Sequence, residues 1–155
     1  MKITGVEGII LRLPERQAVA DGTQDDLLIR IETDEGITGY GEVDTSPEVG
    51  KAVVNAEMSH VGGLTEAKRI VYLAQEVNRL CVPHAFRTGV LVAACLHLIA
   101  AIPNSAFLEF SVTDSALRRE LLAEPFKVVH GQVAVPSKPG LGIEINADTL
   151  KAYAV

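Results

Sequence analysis

The sequence predicts an α+β region followed by an α/β region, and three observations carry that expectation. Residues 2–43 hold three short stretches rich in β-branched residues and separated by turn residues, the pattern of an antiparallel meander. Residues Cys81–Phe110, CVPHAFRTGVLVAACLHLIAAIPNSAFLEF, read as a strand, a long apolar helix and a second strand, a βαβ unit whose strands must run parallel. The 155 residues are 48% hydrophobic but only 5% aromatic, so the core must be built from Val, Ile, Leu and Ala.

Taken in order, Lys2–Leu13 alternates roughly and is β-branched, so it forms the first strand. Pro14–Gln24 is polar, contains Gly22 and should be an exposed loop. Asp26–Thr33 (DLLIRIET) is the second strand, with Leu28 and Arg30 on the face opposite Leu27, Ile29 and Ile31. Asp34-Glu35-Gly36 turns the chain, because glycine readily adopts the positive φ of tight hairpins, and Ile37–Val43 is the third strand. Ser46 is a good N-cap and Pro47 suits a first helical position, so a helix is expected over Ser46–Ala56. Thr65–Leu80 is amphipathic, with Ala67, Ile70, Val71, Ala74 and Val77 at helical period. Val82–Phe86 is a strand, Gly89–Ala101 an apolar helix ended by Pro103-Asn104, and Ala106–Phe110 a strand. A charged helix over Asp114–Ala123, capped by Thr113, comes next. Pro125–Val135 is an extended segment and hairpin turning at Gly131, and a loop over Pro136–Leu141 leads to a last short helix, Ala147–Tyr153, capped by Asn146.

Charge and cysteine content restrict the function classes. Lys plus Arg number 14 against 20 Asp plus Glu, a net charge of −6, with no basic run, which argues against a nucleic-acid partner. The start, MKITGVEGII, lacks the basic and long apolar regions of a signal peptide. The longest apolar run, Gly89–Ile102, is too short to span a bilayer, so no membrane partner is expected. Cys81 and Cys95 lie in apolar surroundings without metal-ligand spacing and read as reduced core residues of a cytoplasmic protein.

In a βαβ unit the chemistry sits at the C-terminal ends of the strands, where His84 and Glu109 fall. His84 is the leading candidate, and Glu109 is either a functional carboxylate or a rim charge paired with Arg87 or Lys68. His97, on the apolar helix, is expected to be a satisfied buried histidine. His130 is a turn residue, His60 a structural or solvent-facing one, and Gly62-Gly63 either a tight turn, the preferred reading, or an anion site at the start of the following helix. Asp34, Glu35 and Asp44 are surface and cap charges.

Several motifs in series resemble one family. Residues 1–56, with DLLIRIETDEGITGYGEV and the Ser-Pro-Glu helix start, resemble the capping domain of the mandelate racemase and muconate lactonizing enzymes of the enolase superfamily. HVGGLTEAKRI resembles the exit of that family's sixth barrel strand and its helix, VPHAF the seventh strand and FLEF the eighth. PSKPGLGIEIN resembles the tail that returns to the capping domain. The resemblance implies three parts: a capping domain over 1–56, strands 6–8 of a (β/α)8 TIM-type barrel over 57–135, and a returning tail over 136–155.

By that resemblance, His84 corresponds to the seventh-strand acid/base and Glu109 to the eighth-strand residue that holds the substrate carboxylate. Glu57 falls at the place of the aspartate that orients the histidine, although AEMSH also continues the capping helix. The family chemistry is magnesium-dependent abstraction of a proton next to a carboxylate, as in acid-sugar dehydration or racemisation. Its lysine base and three magnesium carboxylates come from barrel strands for which this sequence has no room. A complete barrel takes roughly 250 residues, whereas 95 remain after His60 (155 − 60). The expectation is therefore an internally deleted, inactive member with no metal of its own, derived from enzymes of carboxylate-bearing small molecules. Its open strand edges would favour a homo-oligomer. The alternatives are a non-catalytic interaction remnant, or an incomplete record of a full-length active dehydratase.

Overall fold

The computed structural model describes residues 1–14, 25–43 and 63–155, and among them lie five strands, in a three-stranded and a two-stranded sheet, and four helices. The helix expected over Ser46–Ala56, Glu57, His60 and most of the Pro14–Gln24 loop lie outside the described residues.

β1 (Ile3–Arg12), β2 (Asp25–Thr33) and β3 (Thr38–Val43) form an antiparallel sheet in the order β1-β2-β3. Leu28 faces Ile9 across one ladder and Glu42 across the other, with one irregularity in β1 between Ile3 and Gly5. Gly36 supplies the positive φ (76°) of the β2–β3 turn, which is closed by bonds from Gly36 N to the Thr33 carbonyl and from Ile37 N to the Thr33 hydroxyl. The period-2 alternation divides the sheet as the sequence predicts. Ile10, Leu27 and Ile29 form a cluster with Val6 and Ile31, while Leu11, Leu13 and Leu28 join the main core. Asp26, Leu27, Leu28 and Ile29 are all buried in sequence, so β2 is covered on both faces.

Four helices follow: α1 (Gly63–Glu76), α2 (Gly89–Ala100), α3 (Ala116–Glu120) and α4 (Ala147–Tyr153). β4 (His84–Ala85) precedes α2 and β5 (Glu109–Phe110) follows it; the two pair in parallel, as the βαβ reading requires. α2 is apolar on nearly every face because it meets three neighbours. Val90 packs into the sheet core with Leu28 and Leu117. Val92, Cys95 and Leu96 pack with Ala85, Leu108 and Phe110, and Leu98 packs with Val71 of α1.

Four boundaries differ from the sequence reading, each for a local reason. α1 stops at Glu76 rather than Leu80 because Asn78 adopts a left-handed conformation (φ 53°). Asn78 N then bonds the Gln75 carbonyl and Arg79 N the Ala74 carbonyl, which together make a Schellman cap. On α1 only Val71 is fully buried, flanked by the half-buried Ala67 and Ala74. Ile70 and Val77, expected on the same face, are 61% and 65% exposed. The strands over Val82–Phe86 and Ala106–Phe110 contract to two residues each, since Pro83 has no N–H to donate and each strand finds only the other to pair with among the described residues. α3 is capped by Ser115 rather than Thr113 and ends at Glu120; the Ser115 hydroxyl accepts from Arg118 N.

The residues after α3 form a turn, a capped helix and a return to the sheet. Val129 bridges Gln132 around His130 (φ 52°) and Gly131 (φ 75°), a two-residue turn with both central residues left-handed. Asn146 caps α4 by accepting from Asp148 N and Thr149 N. The chain then returns to the sheet, where Ala154 bridges Leu11 and Val155 N bonds the Ile10 carbonyl.

Candidate active site

Parallel pairing sets His84 directly beside Glu109, and their side chains meet. Nδ1 of His84 lies 2.6 Å from Oε2 of Glu109, and both side chains are about half exposed. We assign the proton to Nδ1, so the carboxylate accepts it and Nε2 keeps its lone pair. The ring is also held from one side, stacked on Phe86 with centroids 3.9 Å apart and planes at 4°. An imidazole with one nitrogen anchored by a carboxylate and the other open to solvent is equipped to take or give a proton.

Arg118 braces both strand ends, and sequence reasoning did not single it out. Its guanidinium donates to the Phe86 carbonyl (3.2 Å) after β4 and to the Ser111 carbonyl (2.8 Å) after β5, and lies 5.5 Å above the Phe110 ring. The only signal in the sequence is its place on a short helix after FLEF, which is too weak to find it.

A second polar centre lies where the sheet meets α2. Thr88 is the N-cap of α2, its hydroxyl accepting from Val90 N. The Glu42 carboxylate accepts from Thr88 N (2.8 Å), the Thr88 hydroxyl (2.8 Å) and Leu91 N (2.6 Å), so an acid on β3 satisfies free N–H groups at the start of α2. Burial raises the pKa of Glu42 while those bonds oppose the rise. Asp26 on β2 is wholly buried beside it. Burial, then the Glu42 charge, pushes its carboxyl well above the ordinary carboxylate range, against the opposing pull of Arg87. Arg87 donates to the Asp25 carbonyl at 3.0 Å. Arg87, considered from sequence as a partner of Glu109, goes to Asp25 instead; Glu42, Asp26 and Thr88 did not stand out, because a Glu and an Asp on predicted strands look like surface charges until their partners are in place.

The remaining candidates take structural places. His97 is half-buried, with Nε2 3.1 Å from the Leu141 carbonyl, a satisfied histidine as expected. His130 is a turn residue. Asp34 accepts from Lys2 N, and Glu35 pairs with the N-terminal amine. Cys81 and Cys95 are both free thiols, and burial pushes that of Cys95 up to about 11. A cleft of about 930 Å³ lies in the tail, lined in part by Phe126, Lys127, His130, Val133 and Lys138. It is lined by neither His84 nor Glu109, and the strand-end geometry is the better guide to chemistry. No cluster of three or more His, Cys, Asp or Glu that could hold a metal occurs among the described residues. No helix among them is long and apolar enough to cross a membrane.

Comparison with known proteins agrees with this architecture. The chain is 36% identical over 109 residues to D-galactarolactone cycloisomerase of Agrobacterium fabrum, a match covering 65% of this chain and 29% of that protein. It is 35% identical over 108 residues to D-galactonate dehydratase of Xanthomonas campestris, covering 66% of this chain and 28% of that one. The chain thus spans less than a third of the length of these curated relatives. A crystal structure named as a candidate mandelate racemase from Bordetella bronchiseptica superposes with a TM-score of 0.81 over 99% of this chain and 98% of that chain. At 16% identity that likeness speaks for the fold alone. The family model for enolase C-terminal domain-like proteins matches residues 14–149, most of the sequence, and the chain therefore belongs to that family, within the enolase superfamily.

Proposed function

We propose that this chain carries the acid/base end of an acid-sugar site of the enolase-superfamily type, with His84 as the acid/base, and that alone it does not complete the reaction. The observation that supports this most is the 2.6 Å contact between His84 Nδ1 and Glu109 Oε2 at the ends of two parallel strands. On this reading residues 1–56 are the capping domain, and 57–135 are the barrel remnant with β4 and β5 as its seventh and eighth strands. Residues 136–155 are the returning tail, in a cytoplasmic protein. The ligand is a small molecule bearing a carboxylate, in keeping with the acid-sugar relatives.

On this reading Glu109 serves the histidine rather than the substrate, which the 2.6 Å contact supports. A carboxylate bonded to Nδ1 fixes the tautomer and strengthens Nε2 as a base, which is the role Glu57 would otherwise fill. Glu57 stands as the alternative orienting group. Nε2 of His84 would take a proton from the carbon next to the substrate carboxylate, or return one to it.

The described residues do not fit the family's magnesium. That ion needs a near-octahedral set of oxygens, and the one carboxylate against His84 is already engaged with the imidazole. Without a cation to hold an enediolate, the pair can bind an acid sugar and exchange a proton but cannot finish a dehydration.

The test is calorimetric binding of D-galactonate together with a product assay, each with and without Mg²⁺. Expected are measurable binding, an affinity loss of about tenfold in H84Q, and no product. The E109Q variant should weaken binding more than E57Q does. Mg²⁺-dependent turnover would refute the incomplete-site reading, and unchanged affinity in H84Q would refute the role of His84.

A second reading, association of copies, is favoured by α1 and the residues after it. Ile70 and Leu73 on α1, and Val77 and Leu80 just beyond its cap, are 61–65% exposed, a concentration of apolar surface on one short stretch. Light scattering showing a dimer that L73K and L80K dissolve would support it, and a monomer at all concentrations would refute it.

A further inference from the structure

The junction between the capping sheet and α2 contains two carboxyl groups where one would suffice. Glu42 is explained by its three donors at the start of α2. Asp26 is not. It is fully buried, neither of its oxygens accepts a hydrogen bond of good geometry, and its carboxyl lies against that of Glu42. A buried ionised carboxylate without donors, next to another negative charge, is strongly unfavourable. A protonated one is not, because its O–H can donate to the neighbouring carboxylate, and two acids in contact then titrate as a unit.

We propose that Asp26 and Glu42 share one proton at neutral pH, and that this proton latches the capping sheet to the N-terminus of α2. Asp26 donates and Glu42 accepts, in addition to the bonds from Thr88 and Leu91. The latch spans two strands and a helix, and it grips Thr88, four residues beyond His84. Losing the proton leaves two adjacent anions in the interior, and repulsion between them opens the seam between sheet and helix. The seam therefore weakens as the solution becomes alkaline.

Among the described residues the surrounding groups act on Asp26 only weakly: Arg87 and the Leu27 N–H favour its ionised form, and both count for less than burial and Glu42. On β2, the Asp25 carboxylate lies 4.0 Å from Arg87 and 3.7 Å from Arg12 of β1. Arg87 attracts the pair from the loop before α2, and its pull on Asp26 is smaller than the effects of burial and of Glu42. Arg30, further along β2, is paired with Glu7 and Glu32. From α2, Cys95 faces Glu42 as a protonated thiol. The sign follows from linkage. A carboxyl whose folded pKa is raised contributes stability that is complete below the unfolded value of roughly 4 and is lost as pH rises through the folded value.

The test uses the whole chain and the D26N substitution, since an amide keeps the shape and donates to Glu42 without titrating. Wild type should lose melting temperature between pH 5 and pH 9, and D26N should lose much less. D26N should exceed wild type at pH 9 by at least about 2–4 °C, with the gap closing toward pH 4.5. Infrared spectra of wild-type protein labelled with ¹³C at its Asp carboxyls should show a protonated Asp at pH 7, a readout that needs no variant to fold. A protonated Asp band that survives in D26N, its absence from wild type at pH 7, or parallel pH profiles of the two proteins would overturn the proposal.

Discussion

Replacing Gly142 with Ala offers a sharp test of how the tail is built. Gly142 has φ +71°, in the left-handed region, and a Cβ there would stand 2.5 Å from Cβ of Pro136 and 3.2 Å from the Lys138 carbonyl. The backbone conformation alone costs an L-residue about 1–2 kcal/mol. The contacts add overpacking of about 1–3 kcal/mol, because a proline ring and a backbone carbonyl cannot rotate away. Gly36 is the internal control: its φ is +76°, yet nothing lies within 4 Å of its would-be Cβ. G36A should therefore cost only the conformational part. In a chain of 155 residues each kcal/mol moves the melting temperature by about 2–4 °C. G142A should melt well below G36A, and G36A about 2–8 °C below wild type, in parallel calorimetric scans. If the two variants agree within about 0.5 kcal/mol, the packing of Pro136 over Gly142 is not as described.

Other substitutions probe separate parts. L117A removes a fully buried side chain from the main core and should cost about 2–5 kcal/mol in urea unfolding. N146A removes the oxygen that accepts from both Asp148 N and Thr149 N and should cost about 1 kcal/mol, with N146S recovering most of it. In native protein at pH 8, a thiol reagent should label Cys81 well before Cys95, whose thiol is buried and raised to about 11; unfolding in urea should make the two rates equal. Equal rates in the native state would contradict the packing of α2.

Local pattern made the three sheet strands, α2, the Gly131 turn and the Asn146 cap legible, because each depends on neighbours in sequence. The burial of Leu28 on one side and Leu27 on the other follows from alternation alone. What was not legible depends on partners far along the chain. Ile70 and Val77 have the period of a buried face, but exposure depends on whether a neighbour arrives, and a helical period does not say so. Asn78 ended α1 through its own backbone, a possibility the apolar run to Leu80 concealed. His84 and Glu109 were both singled out, but their contact needed the parallel register that only the assembled strands provide. Glu42 and Asp26 were overlooked for the same reason: their meaning lies in Thr88, Leu91 and each other, 46 and 49 residues from Glu42 for the first two.

The return of the tail to β1 bears on the order of folding. Leu11 and Ala154 meet across 143 residues (154 − 11), among the most distant pairings the chain can make. Closing so large a loop is entropically slow and tends to come after local structure has formed. β1 lies at an edge of the sheet, so until that closure the backbone at Ile10 and Leu11 is open to strands from other chains. During synthesis the hairpin of β1 and β2 emerges well before the segment around Ala154 that covers its rim. Nascent chains should thus pass through a window of edge-to-edge aggregation that the finished protein no longer shows.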